Sequence, residues 1–167
     1  MRRIISLIIA LLAIALLGLA VRHWGVGLVR ITGNSMNNTL KSGDIVLVTR
    51  FDYRGGRVPR FGDVVECRFQ GRKDTYIKRV MGLPGDDIQF SQGFLTRNGT
   101  RVSEPYVSSV TEDYEITLAD GQYLMLGDNR AESYDSRMAD MGPVGADAFP
   151  GRVRCILWPL NRIGGVL

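Results

Sequence analysis

Residues 4–21, IISLIIALLAIALLGLAV, carry no charged side chain, and nothing later in the 167-residue chain resembles them. Eighteen residues of α-helix would run ~27 Å, about the hydrocarbon thickness of a bilayer. Arg2 and Arg3 precede the run and Arg22 and His23 follow it. Positive charge ahead of the run places residues 1–3 on the cytoplasmic side as a short N-terminus. Residues 4–21 then form a single transmembrane anchor, and residues 22–167 are a domain on the extracytoplasmic side. A second reading stays open: Arg-Arg, an apolar core and Gly18-Leu19-Ala20 also have the layout of a cleavable secretory signal. Both readings export the remainder of the chain.

The exported part is long enough for one domain with an adequate core. Overall the chain is 45% hydrophobic and 23% charged, which excludes disordered, collagen-like and coiled-coil architectures. Of the net charge of +4, Arg2 and Arg3 supply two, so the rest carries only +2 with no evident basic cluster. Nucleic acid is therefore not an expected partner. A single His and two Cys are too few for the usual zinc sites, and a Ser-His-Asp triad could draw only on His23. No metal or other cofactor is expected. Cys67 and Cys155 each lie in an alternating strand pattern, where a small buried thiol is the simpler reading; export also makes a disulfide between them chemically feasible.

After residue 22 the chain is a succession of short, β-branched and aromatic stretches separated by Gly. Ile45–Phe51, Asp63–Phe69, Thr75–Val80 and Tyr114–Leu118 read as strands. Asn98-Gly99 and Asp120-Gly121 read as two-residue hairpin turns. Short helices fit only around Asn129–Met138. The expected fold is mostly β, with twisted antiparallel sheets or a partly closed barrel behind one N-terminal transmembrane helix. Residues 86–121, richer in turn signals, could be a small β subdomain or an elaborated hairpin.

With histidine scarce, serine and lysine form a workable hydrolytic pair, because burial can leave a lysine amine neutral and able to take a hydroxyl proton. Ser35, in the turn GNSMNNTL, could present its hydroxyl and backbone N–H outward, although most turn serines bond only their own backbone. Lys78, within TYIKRV, shares one strand face with Tyr76 and Val80, where it could be desolvated or could snorkel at a sheet margin. The polar stretch GDNRAESYDSR offers Ser133 as a hydroxyl for the lysine, and Asp128 and Asp135 as carboxylates for Arg79 and Arg137. Spacing alone leaves open whether this stretch is a functional loop or a solvated one.

GNSMNNTL, GDIVLV, YIKRVMGLPGD and GDNRAESYDSR, in this order behind an N-terminal apolar segment, resemble the type I signal peptidase family. The resemblance runs from about Ile31 to Arg137 and resumes in RVRCILWPLNRIG. Members are membrane-anchored serine endopeptidases with a mostly β fold, and they remove signal peptides from exported preproteins with a Ser-Lys dyad. The resemblance implies that Ser35 is the nucleophile, Lys78 the general base and Ser133 the hydroxyl that orients the lysine. It makes Asp128, Asp135, Arg137 and Arg79 supporting groups. Ile31, Met36 and Ile77 would line the small pockets that select Ala-x-Ala before the cut, although alternation turns Ile77 away from the Lys78 face. The implied partners are preprotein signal peptides and the lipid bilayer of the inner (cytoplasmic) membrane.

Two positions depart from the family pattern. Asn38 stands where proline is common, which implies a less rigid turn after the nucleophile. Gly33 stands where some members have an oxyanion-binding serine. Two other functions fit the same residues: a peptidase dedicated to one pilus, conjugation or mitochondrial inner-membrane substrate, and a catalytically silent domain that binds exported peptides.

Overall fold

A computed structural model describes the backbone of residues 2–23 and 25–166; the side chains of Arg2, Arg3, Leu17 and residues 20–23 lie outside the described set. The orienting charges named above (Arg2, Arg3, Arg22) and His23 therefore fall outside it. The apolar run folds as one helix, α1 (Arg2–His23). Its described leucines and isoleucines, from Ile4 to Leu19, are all exposed. Taken alone, the described residues contain no helix long and apolar enough to cross a membrane.

Beyond α1 the chain is antiparallel β structure in two sheets. The strands are β1 (Val26–Arg30), β2 (Ile45–Thr49), β3 (Val64–Cys67), β4 (Tyr76–Gly82), β5 (Asp87–Ser91), β6 (Phe94–Arg97), β7 (Thr100–Arg101), β8 (Tyr114–Thr117), β9 (Leu124–Leu126), β10 (Gly151–Trp158) and β11 (Gly164–Gly165). The larger sheet has the order β1-β2-β10-β3-β4-β9, with β11 also on β10; the smaller has the order β7-β6-β5-β8. β10 bridges the larger sheet because its eight residues outrun each neighbour. Its first residues pair with β3, its next with β11, and its opposite edge follows β2.

Three of the expected strands form with their ends trimmed by one or two residues, and the strand expected at Thr75–Val80 loses Thr75 but runs on to Gly82. Asn98 and Gly99 close the β6–β7 hairpin with φ of 50° and 74°, the pair of positive values that a type I′ turn requires. Asp120-Gly121 behaves differently. It makes a turn, with the Gln122 N–H bonded to the Ala119 carbonyl, but β8 before it and β9 after it belong to different sheets. A turn signal fixes a local reversal, and the partner strand is chosen by burial. Here Leu124 and Leu126 are fully buried in pairing with β4. The helix expected near Asn129–Met138 is a single 3-10 turn, Arg130–Glu132. Cys67 and Cys155 are both free thiols.

The two sheets share a core at the β4–β9 end. Met81, Leu124 and Leu126 from the larger sheet pack with Ile88, Phe90, Leu95 and Leu118 around the smaller. Gly82 marks the crossing point, because a Cβ there would lie 2.5 Å from Leu118 Cδ1. A second cluster (Val65, Cys67, Phe69, Val80, Met125) covers one face of β3 and β4, and a third (Ile31, Met36, Val46, Val48, Val64, Val153) the other. β4 thus runs between two cores, so its polar residues Lys78 and Arg79 are buried in opposite directions.

Candidate active site

Lys78 is 2% exposed, and its face of β4 is shared with Val80 and, across the ladder, Val65. Burial pushes its amine below the usual lysine range, against the pull of the Asp135 carboxylate. Nζ donates to Ser133 Oγ at 2.9 Å. Among the described residues no hydrogen bond joins it to Ser35 Oγ. The nearby Cys67 thiol is pushed up to about 12 by burial, so it stays neutral and unreactive.

Ser133 sits in the loop that follows β9, and that loop is organised by Asp135. The buried Asp135 carboxylate accepts the Gly127 N–H at 3.0 Å and both Nε and Nη2 of Arg137, at 2.8 and 3.0 Å. Burial opposes the Asp135 charge, but Arg137, the Ser133 hydroxyl and the Gly127 N–H outweigh it and hold the carboxyl below the usual carboxylate range. Its contribution to stability is present above the ordinary Asp pKa and is lost as pH falls through the lowered one.

Arg79 points the other way, into a buried two-pronged bond with Asp128: Nε to Oδ1 at 2.9 Å and Nη2 to Oδ2 at 2.7 Å. Asp128 also accepts from Thr39 Oγ1, and the guanidinium carbon lies 3.9 Å from the Tyr106 ring centroid. Thr39 belongs to the turn that carries Ser35. The ion pair therefore ties that turn to β4.

The Ser35 turn has further tethers. Asn129 donates its N–H to the Ser35 carbonyl at 3.0 Å and its Nδ2 to the Asn34 carbonyl at 3.1 Å. Asn38 adopts φ +84°, a conformation closed to proline, and its Nδ2 reaches the Tyr106 carbonyl and Ser108 Oγ, both at 2.9 Å. The turn expected to be slack is pinned by a side chain instead of a ring. Gly33 has φ +84°, so a serine there would be strained. Among the described residues, the Ser35 N–H donates to no backbone carbonyl, which leaves it available.

Gly127 brings the two halves of the site together. A Cβ on it would lie 2.2 Å from Ser133 Oγ and 2.4 Å from the Ser35 carbonyl oxygen, so these atoms flank one point and only a hydrogen fits between them. Gly127→Ala must push apart the groups around Lys78. The expected result is about a 100-fold loss of turnover, as for a displacement of ~1 Å at a reacting group. Steady-state kinetics beside a thermal melt measures it.

A cleft of about 380 Å³ opens beside Ser35. Ile31, Ser35 and Met36 line one wall and Thr75, Tyr76 and Ile77 the other. Ile77 lies on the face opposite Lys78, as alternation requires, and packs with Ile31 and Met36. β9 pairs with β4 only from Arg79 onward, so the β4 edge at residues 76–78 is open.

Ile31, Ser35, Met36 and Ile77 thus line this cleft, while Lys78 and Arg79 lie on β4 and Asp128, Ser133, Asp135 and Arg137 on the loop after β9. Five others escaped sequence reasoning: Thr39, Gly127, Asn129, Arg130 and Glu104. Arg130 is buried, donating Nε to the Gly127 carbonyl at 2.9 Å and Nη1 to Thr111 Oγ1 at 3.2 Å, and pairing with Glu104. The 102–113 connection is thereby strapped over the site loop. The only sequence signal was the unexplained charge within GDNRAE. Among the described residues no group of His, Cys, Asp and Glu could hold a metal ion.

The family model described as "Signal peptidase, peptidase S26" matches residues 1–158. Signal peptidase I T of Bacillus subtilis is 31% identical over 166 residues, covering 92% of this chain and 85% of its own. Signal peptidase I of Bacillus caldolyticus is 34% identical over 148 residues, covering 79% of each chain. A probable signal peptidase I-2 of Synechocystis is 35% identical over 142 residues, 80% of this chain, and the match spans 64% of that relative's length. The crystal structure of a signal peptidase I from Enterococcus faecalis superposes with a TM-score of 0.51 at 29% identity, over 56% of this chain and 95% of that one.

Proposed function

Since the chain belongs to the signal peptidase I family of serine endopeptidases, which cleave signal peptides from secreted preproteins, we propose that Ser35 is its nucleophile and Lys78 its general base. The observation that carries this reading is the buried Lys78 amine, held by Ser133 beside the turn that bears Ser35. Ser35 Oγ attacks the scissile carbonyl and passes its proton to Lys78. The tetrahedral oxyanion is met by the Ser35 N–H. Collapse to the acyl-enzyme returns the proton from Lys78 to the leaving amine, and a water repeats the sequence to release the signal peptide. Ser133 orients the amine, Asp135 with Arg137 holds the Ser133 loop, and Asp128 with Arg79 holds the Ser35 turn. These five are positioning residues.

The substrate lies extended in the cleft and adds to the open β4 edge at residues 76–78. Ile31, Met36 and Ile77 leave room for small side chains, which selects Ala-x-Ala before the cut. Ser35 lies 14 residues beyond the apolar run. Over its whole sequence α1 carries that uncharged run, and its described leucines and isoleucines are exposed. We read it as a single-pass anchor in the cytoplasmic membrane, with residues 22–167 on the extracytoplasmic side; this holds the cleft near the bilayer, where preproteins are themselves inserted.

Incubation of the full-length protein in lipid vesicles with an Ala-x-Ala preprotein, followed by N-terminal sequencing of product and enzyme, tests the assignment. A single cut after the second Ala is expected, with the enzyme's own Gly18-Leu19-Ala20 intact. An uncut preprotein contradicts it. Cleavage of several unrelated preproteins distinguishes general from dedicated processing.

A further inference from the structure

The segment Arg50–Arg60, RFDYRGGRVPR, holds four arginines in eleven residues, and all four are exposed. It is the basic cluster that the whole-chain charge conceals. Arg57, Arg60 and Arg152 line one cleft with Asp52 and Asp63, and Arg154 reaches it through Asp52. The three nearby carboxylates are all used: Glu66 by Arg50, Asp63 by Arg152 and Asp52 by Arg154. Among the described residues Arg54, Arg57 and Arg60 meet no carboxylate. Phe51 and Val58, set among them, are 41% and 52% exposed.

The loop is also fastened to the end of α1. The Arg50 N–H bonds the Gly25 carbonyl, and the Arg54 Nη2 lies 3.3 Å from where a Gly25 Cβ would be. Gly25 is only two residues past His23, the last residue of the helix. We propose that the 50–60 loop is a docking surface for the phosphate headgroups of anionic phospholipids. Arg54, Arg57 and Arg60 take the phosphates while Phe51 and Val58 dip between the headgroups. A helix fixes the height of a domain above a bilayer but leaves it free to swing and rotate. A second contact beside the helix removes that freedom and fixes which way the cleft faces. This surface rests on the reading of α1 as a membrane anchor.

The test uses the full-length protein carrying Val58→Cys labelled with a polarity-sensitive fluorophore, in a Cys155→Ser background; the remaining Cys67 is buried. It is reconstituted in vesicles of phosphatidylcholine alone or with phosphatidylglycerol. The expected result is a blue-shifted emission in the phosphatidylglycerol vesicles only, reversed by high salt. Replacing Arg54, Arg57 and Arg60 together by Gln should weaken this docking about a hundredfold. Cleavage of a short soluble peptide should not change. Equal blue shifts in both vesicles, or an unshifted probe in protein that resists carbonate extraction, overturn the docking surface while leaving the anchor standing. Protein extracted by carbonate from both vesicle types overturns the two together.

Discussion

Ser35→Ala and Lys78→Met each abolish preprotein cleavage, with a loss on the order of 10⁶-fold, and the double variant is no worse than either single one. The non-additivity is part of the prediction, because a nucleophile and its base act as one unit. Methionine is chosen because it keeps the volume of the lysine stem, so the core around Val65 and Val80 stays filled. Lys78→Met also alters stability in a calculable direction. The lysine pKa is lower in the folded protein than in the unfolded chain. Between those two values the unfolded chain holds the extra proton, so wild-type stability climbs with pH. The methionine variant lacks that climb. Denaturant titrations of both proteins at several pH values measure it, and residual activity in either single variant would remove that residue from the dyad.

Asp128→Ala lowers stability by about 3–5 kcal/mol, because it leaves the Arg79 guanidinium buried and unpaired. For a chain of this length that is a fall in melting temperature of about 10 °C. Activity falls with it, since Thr39 and the Ser35 turn lose their tie to β4. The double variant Asp128→Leu/Arg79→Leu recovers much of the stability, because two apolar side chains remove both buried charges. It does not recover activity, because the Thr39 bond stays broken. Thermal melts and cleavage rates on the three proteins separate the pair's part in folding from its part in positioning the nucleophile.

The candidate residues stood out as local patterns, Ser35 in a polar turn, Lys78 on one face of an apolar strand, Ser133 and Asp135 in a dense polar loop, and the family resemblance, not the spacing, gave them roles. The tethers did not stand out. Asn129 meets Asn34 across 95 positions, Asn38 meets Ser108 across 70 and Arg130 meets Glu104 across 26. Such partners are chosen by the packing of two sheets, which no local pattern encodes. Asp120-Gly121 shows the same limit from the other side. Its turn was readable, but not that β8 and β9 would join different sheets. The 50–60 loop holds four arginines against one aspartate, a local excess that a count over the whole chain averages away; which carboxylates fold against them is set by the tertiary structure. Asn38 is a different case. Its missing ring suggested slackness, but asparagine tolerates the positive φ that proline cannot adopt and carries a donor as well.

The most direct measurement is the pH dependence of kcat/KM on a soluble peptide substrate, which reports the free enzyme's essential groups. Activity should rise with pH along a limb set by the Lys78 amine, and burial places that limb below the ordinary lysine pKa of 10.5. Ser133→Ala, which takes away the amine's hydroxyl partner, should displace the limb as well as lower the rate. A limb at the ordinary lysine value, or a profile flat from mildly acidic to alkaline pH, would contradict a neutral buried lysine as the base.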